Sequence, residues 1–256
     1  MIPLRDDVPS RTVPFVNVGL IAVNALAWLM ELGLGADLQR FFYQAAVVPE
    51  LYTGRDGSFG VVDMIAGGFH PDLGLRVLFS MFLHGGWMHF LGNMLYLWIF
   101  GDNVEDRMGH LRYLAFYLLC GWVAAYAHIW AEPLSRMPSI GASGAIAGVL
   151  GAYMILYPSA RVVALIPLGF FFPLVQIPAL FFLAFWFIQQ FFAGAMSLAA
   201  QTAQTGGTAW WAHIGGFVAG LLLVGLFQNP RRRPPRRDTW WAQDTAYARR
   251  RSTGWH

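Results

Sequence analysis

The sequence predicts an all-α polytopic membrane protein with a core of six transmembrane helices. Three observations carry that prediction. Hydrophobic residues make up 57% of the 256-residue chain and charged residues only 12%, whereas about a quarter of a soluble domain is charged. Six apolar stretches recur along the chain, each near the roughly 20 residues that a bilayer requires. The basic residues, seventeen in number and all arginine, fall unevenly on the segments between them.

The stretches cover about 14–33, 86–104, 111–130, 142–157, 172–195 and 209–227. The first is too long for the apolar part of a signal peptide. It ends in "MELGLGAD" without a small-residue cleavage site, so it reads as a retained span. The fourth is short and rich in Gly and Ala. The segment 34–85 is mixed, with "VVDMIAGGF" and "LRVLFSMFL" set between Gly and Asp turns. It reads as an external loop partly embedded in the interface. No internal repeat is present.

Six spans put both termini on one side of the membrane. Thirteen arginines then share that side, and Arg40, Arg55, Arg76 and Arg136 lie on the other. The positive-inside rule places both termini in the cytoplasm. The expected organisation is a cytoplasmic N-terminus at 1–13, a membrane domain at 14–227, and a basic, disordered tail at 228–256. The tail's arginine runs suit anionic lipid headgroups. Arginines beside a last span act as topology signals, so no nucleic-acid partner is expected. The single cysteine, Cys120, leaves no intramolecular disulfide to form.

Polar groups at membrane depth are costly and point to function. In "HGGWMHFLGNM", His89 and Asn93 stand one helical turn apart and share a face, with His84 expected at the external mouth. In "GASGAIAGVLGAY", Ser143 stands near Gly141 and Gly144. In "WWAHIGGFVAG", His213 follows Trp210 and Trp211, whose rings suit an interface. Spans 2, 4 and 6 all run from outside to inside. The four polar groups therefore fall in one leaflet, close beneath the external surface. Gly144 on span 4 and Gly216 and Gly220 on span 6 let backbones approach closely, which would carry His213 toward Ser143. Taken singly, such glycines only pack helices, and a lone serine bonds its own backbone.

Together the groups suggest acyl-transfer chemistry. A serine hydroxyl needs a base, and neutral imidazole is the usual one. A tetrahedral intermediate needs donors aimed at its oxyanion. The start of span 4 offers backbone N–H groups, that of Ser143 among them, and His89 and Asn93 offer side-chain donors. No Asp or Glu at membrane depth is placed to orient His213, so the expected arrangement is a dyad.

These residues resemble the rhomboid family of intramembrane serine proteases. "HGGWMHFLGN" is similar to its His-x-x-x-Asn region through His89 and Asn93. "GASG" is similar to its Gly-x-Ser-Gly, and "AHIGGFVAG" to its Ala-His-x-x-Gly-x-x-x-Gly. "VEDRMG" resembles its Glu-x-Arg, giving Glu105 and Arg107, which are expected to pair at the cytoplasmic end of span 2. The resemblance covers about 75–225. It departs at Leu75, where some members have Trp, and at Ala147, where some have Tyr.

The resemblance implies a serine endopeptidase with Ser143 as nucleophile and His213 as base. Single-span membrane proteins would be its substrates, cut in or near the lipid bilayer. It implies no cofactor and no metal, and a fifth span and 196–208 loop that control substrate access. The expected location is a bacterial plasma membrane. Two other readings are a non-catalytic relative that binds or retains client membrane proteins, and a haem or metal protein using His84, His89 and His213. His128 is expected at the interface, and Cys120 in the core.

Overall fold

The computed structural model describes residues 1–53, 71–199 and 209–232. Nine helices and three strands are described. Strand β1 (Ile2–Asp6) precedes α1 (Phe15–Leu34), and a 3-10 turn (Gly35–Asp37) leads into α2 (Leu38–Ala45) and α3 (Glu50–Thr53). Then come α4 (Pro71–Ser80), α5 (Trp87–Met108), α6 (His110–Ala131) and α7 (Ser143–Leu156). Strands β2 (Arg161–Leu165) and β3 (Leu174–Pro178) precede α8 (Ala179–Ala199) and α9 (Trp210–Phe227). The expected pieces "VVDMIAGGF" and 200–208, and the tail beyond 232, lie outside the described residues.

Six helices, α1 and α5 to α9, coincide with the six apolar stretches. Four of them are long and apolar enough to cross a membrane: α1 with its continuation to Ala45, α6, α8 and α9. Helix α5 is as long, but it carries His89, Asn93, Asp102 and Asn103 among its apolar residues. Helix α7 has only 14 residues, because Pro158 follows its end and cannot continue a helix. Gly109, at φ +85°, separates α5 from α6; only glycine takes that conformation without strain.

Helix α7 is the most enclosed element. Every residue from Gly144 to Tyr153 is buried, against α9, α6 and α5. Helix α8 has the opposite character and exposes Phe181, Phe185, Ile188, Phe191 and Phe192. Apolar groups facing outward on a long apolar helix suit lipid.

The ends of the helices meet on two faces. At one, Asn229 N–H donates to Arg107 O at 3.0 Å, and Arg232 donates to Asp106 O at 3.0 Å. The N-terminal segment joins the same face, where Thr12 donates to Asp106 at 2.8 Å and Ser10 to Asp102 at 2.7 Å. The first turns of α5, α7 and α9 lie at the far end, with His89, Ser143 and His213 on them.

Three expectations need correction here. The fifth apolar stretch was expected to be helical from 172, yet β3 occupies Leu174–Pro178 and the helix starts at Ala179. Pro173 and Pro178 bracket that run, and Val175 and Ile177 are β-branched, so it pairs as a strand. It closes a small antiparallel sheet in the order β1-β2-β3, with Leu165 opposite both Ile2 and Leu174.

Second, Glu105 and Arg107 do not pair. Residues two apart on a helix face different sides. The buried Glu105 carboxylate accepts Val16 N–H at 3.0 Å, Asn17 N–H at 2.7 Å and His110 Nδ1 at 2.5 Å. Arg107 reaches Gln228 at 3.2 Å. Each residue ties α5 to a different chain segment. Third, His128 is 5% exposed, so it sits inside the bundle rather than at an interface.

The sheet is joined to α7 by a hydrogen bond from Tyr153 to Asp6. Burial pushes the Asp6 carboxyl up to about 7, and Asp102 nearby adds repulsion. The folded chain thus holds a proton that the unfolded chain, with an Asp near 4, has released. That contribution to stability is complete below about pH 4 and is lost as pH rises through about 7. The melting temperature in detergent is expected to fall between about pH 5 and about pH 8, and to fall less in Asp6→Asn protein. Equal falls in both proteins would remove Asp6 as the cause.

Candidate active site

Ser143 opens α7, and the backbone before it is shaped to receive a ring. Gly141 has φ +130°, and its N–H donates to Ser80 O at 2.8 Å. A Cβ at Gly141 would collide with the imidazole of His89 and lie 3.4 Å from Ser143 Oγ. The absent side chain is therefore what admits the His89 ring beside the serine. A cavity lined by Ser80, Gly121, Ala124, Ile140 and Gly141 reaches Ser143.

His213 lies in the first turn of α9 and is 9% exposed. Its Nε2 stands 2.7 Å from Ser143 Oγ. Its Nδ1 stands 2.7 Å from Oε1 of Gln190, on α8. An amide oxygen only accepts, so Nδ1 carries the proton and Nε2 turns its lone pair to the serine hydroxyl. Trp186 lies over the ring at 5.9 Å between centroids, tilted by 31°, and Trp210 meets it edge-on at 6.2 Å.

The glycines explain how two helices come this close. A Cβ at Gly216 would fall on the carbonyl oxygen of Gly144, and one at Gly220 on that of Gly148. A Cβ at Gly144 would meet that of Ala124 on α6. With hydrogen atoms alone at these positions, α7 and α9 pack backbone to backbone. Ser143 and His213 stand at the end of that seam.

On α5, Nδ1 of His89 accepts the N–H of Gly85 at 3.4 Å. This leaves Nε2, the nitrogen beside Gly141, as the donor. Asn93, one turn on, is buried, and its amide nitrogen has no hydrogen-bond partner among the described residues. The first N–H groups of α7, that of Ser143 included, have no carbonyl to bond within their own helix. Unspent donors thus come from two elements, α5 and the start of α7.

His84 does not lie at a solvated mouth, as the sequence suggested. It is wholly buried, and its backbone N–H reaches both carboxylate oxygens of Glu31 at 3.1 Å. Its ring stands edge-on to His89, 5.2 Å between centroids. The turn before α5 is therefore pinned to α1, and His84 backs His89. Both ring nitrogens of His213 are engaged, by Gln190 and by Ser143.

Gln190 is the site residue that the sequence reading missed. The signal was available. It is a strongly polar group in the middle of the apolar stretch "FIQQFF", and such groups are functional by default.

Residues 73–229 match the rhomboid domain. The chain belongs to the rhomboid family. Rhomboid protein 1 of Saccharomyces cerevisiae, which is mitochondrial, is 30% identical over 152 residues, 58% of this chain and 40% of that protein. The rhomboid protease GluP of Bacillus subtilis is 39% identical over 94 residues, 37% of this chain and 18% of that one. The mitochondrial presenilin-associated rhomboid-like protein A of Danio rerio is 32% identical over 96 residues, 36% of this chain and 25% of that one. The chain thus spans at most 40% of these curated rhomboid relatives. Its apolar helices make it a multi-pass membrane protein of the all-α rhomboid fold.

Proposed function

We propose that this rhomboid is an intramembrane serine endopeptidase that cuts single-span membrane proteins in or near the bilayer. The observation that carries the reading is the 2.7 Å contact between Ser143 Oγ and His213 Nε2. Ser143 attacks the scissile carbonyl carbon as His213 takes its proton. The resulting oxyanion is held by the Ser143 backbone N–H, His89 Nε2–H and Asn93 Nδ2–H. His213 then returns its proton to the leaving amine. Water hydrolyses the acyl-serine with His213 again acting as base. The bilayer is the sixfold-spanned medium of the reaction, with the site near the external face and both termini in the cytoplasm. The proposed location is a bacterial plasma membrane; the rhomboid protease GluP is from a bacterium, whereas the two other relatives above are mitochondrial.

The test compares membranes and medium from cells that make wild-type or Ser143→Ala protein. A membrane-protein fragment should appear in the medium with the wild type only. An identical released set would sink the protease reading and favour a rhomboid that binds or retains its clients.

The buried amide nitrogen of Asn93 supports a second expectation. Asn93→Ala should lower turnover roughly 10²- to 10³-fold, the effect of losing one oxyanion donor. Melting should hardly change, because that nitrogen bonds no other described group. Normal turnover in Asn93→Ala protein would mean that this face of α5 only packs.

A further inference from the structure

We infer that Gln190 is a positioning residue for His213, and that α8 thereby prepares the base. The inference rests on the proposed function, because it concerns how that base is readied. A neutral imidazole has two tautomers, and only the one with its proton on Nδ1 offers Nε2 to a serine. A buried Nδ1–H without an acceptor is costly. Gln190 Oε1 supplies that acceptor at 2.7 Å. The side chain is 8% exposed, whereas its neighbour Gln189 is exposed. One glutamine of the pair thus faces the bundle and the other faces out.

A carboxylate would hold the proton more strongly, but a charge at membrane depth is expensive. An amide gives an acceptor with no charge to desolvate. Helix α7 offers the ring no comparable support, since one turn beyond Ser143 stands Ala147, with only a methyl group. The support comes instead from α8, where Trp186 and Gln190 lie one turn apart and both meet His213. The tautomer of the base is therefore coupled to the position of α8. A shift of α8 away from α9 breaks the bond to Nδ1 while Ser143 and His213 stay on their own helices.

The test uses the full chain in detergent micelles and a fluorophosphonate probe, with the labelling rate at Ser143 and the melting temperature as readouts. Gln190→Met keeps the length of the side chain and removes its acceptor. It should slow labelling roughly ten- to a hundred-fold, less than the ~10⁴-fold loss caused by altering a charged acceptor in a triad. Gln190→Glu, which keeps an acceptor oxygen, should restore most of the rate. Gln189→Met should change neither readout. If Gln190→Met does not fold, Gln190→Asn, with its amide one carbon short, carries the same expectation as Gln190→Met. A wild-type rate in Gln190→Met protein overturns the inference and leaves the proposed function standing. Equal slowing by Met and Glu also overturns it, because the effect would then be one of packing. A wild-type chain that the probe never labels at Ser143 overturns the proposed function, and the inference with it.

Discussion

His213→Ala protein should lose covalent labelling of Ser143 by a fluorophosphonate roughly 10⁴-fold or more, although the serine is still present. A neutral hydroxyl is a poor nucleophile, and its reactivity comes from the group that takes its proton. Nε2 of His213 lies 2.7 Å from Ser143 Oγ. His89, the other imidazole near the serine, engages the Gly85 N–H through Nδ1, so its remaining nitrogen is a donor. It cannot substitute as a base without changing tautomer. Folding should survive the truncation, because α9 is held by its seam with α7 and not by the ring. The measurement is the second-order labelling rate of purified protein, with melting temperature as the control. Labelling of His213→Ala at the wild-type rate would mean that another group activates Ser143, and the dyad assignment would fail.

The polar groups that the sequence displayed most openly are those that bilayer physics penalises. Ser143, His89, Asn93 and His213 interrupt apolar runs, and the parity of spans assigns them to one leaflet. The glycine spacing that lets α7 and α9 touch was readable for the same reason, since a repeat of small residues along one helix face has a steric meaning. Gln190 was harder to single out. Gln189 and Gln190 are adjacent and neutral, about 100° apart around the helix axis, and nothing local says which one faces the bundle. That choice belongs to the packing of α8 on α9. Glu31 is a similar case. It stands near the end of an apolar stretch, yet it is 1% exposed and holds the turn at His84.

The segments outside the lipid were less legible, because hydropathy does not separate a strand from a helix in a short apolar run. The stretch that begins at 172 is apolar apart from Gln176, Gln189 and Gln190, and its two prolines were the sign that the helix had not yet started. The β1 strand offered no such sign. Ile2–Asp6 pairs with β2 only because the chain returns to the same face of the bundle after α7, a long-range contact that local sequence does not encode. The expected Glu105–Arg107 pair failed on a local rule, that of residues two apart on a helix.

Gly220→Ala should be among the most damaging single-methyl changes in the chain, whereas Gly225→Ala on the same helix should be neutral or mildly stabilising. A Cβ at Gly220 would fall on the carbonyl oxygen, the carbonyl carbon and the Cα of Gly148, all backbone atoms of α7. No rotamer change relieves such a clash, so α7 and α9 must move apart. Overpacking of a tight core costs about 1–3 kcal/mol where side chains can yield, and the cost here should be about 3 kcal/mol or more. Gly225 is exposed, with nothing within 4 Å of its added Cβ. Its replacement should gain up to about 1 kcal/mol of helix propensity. The same displacement reaches the site, since Gly216, one turn nearer to His213, packs so closely on Gly144 beside Ser143 that a Cβ on it would meet the Gly144 carbonyl oxygen. A misplacement of about 1 Å between reacting groups can cost about 10²-fold in rate. In Gly220→Ala protein that remains folded, Ser143 labelling should therefore fall together with the melting temperature, while Gly225→Ala protein keeps both. Melting temperatures and labelling rates within error of wild type in Gly220→Ala protein would mean that the seam between α7 and α9 is looser than its glycines imply, and that something other than their contact holds His213 against Ser143.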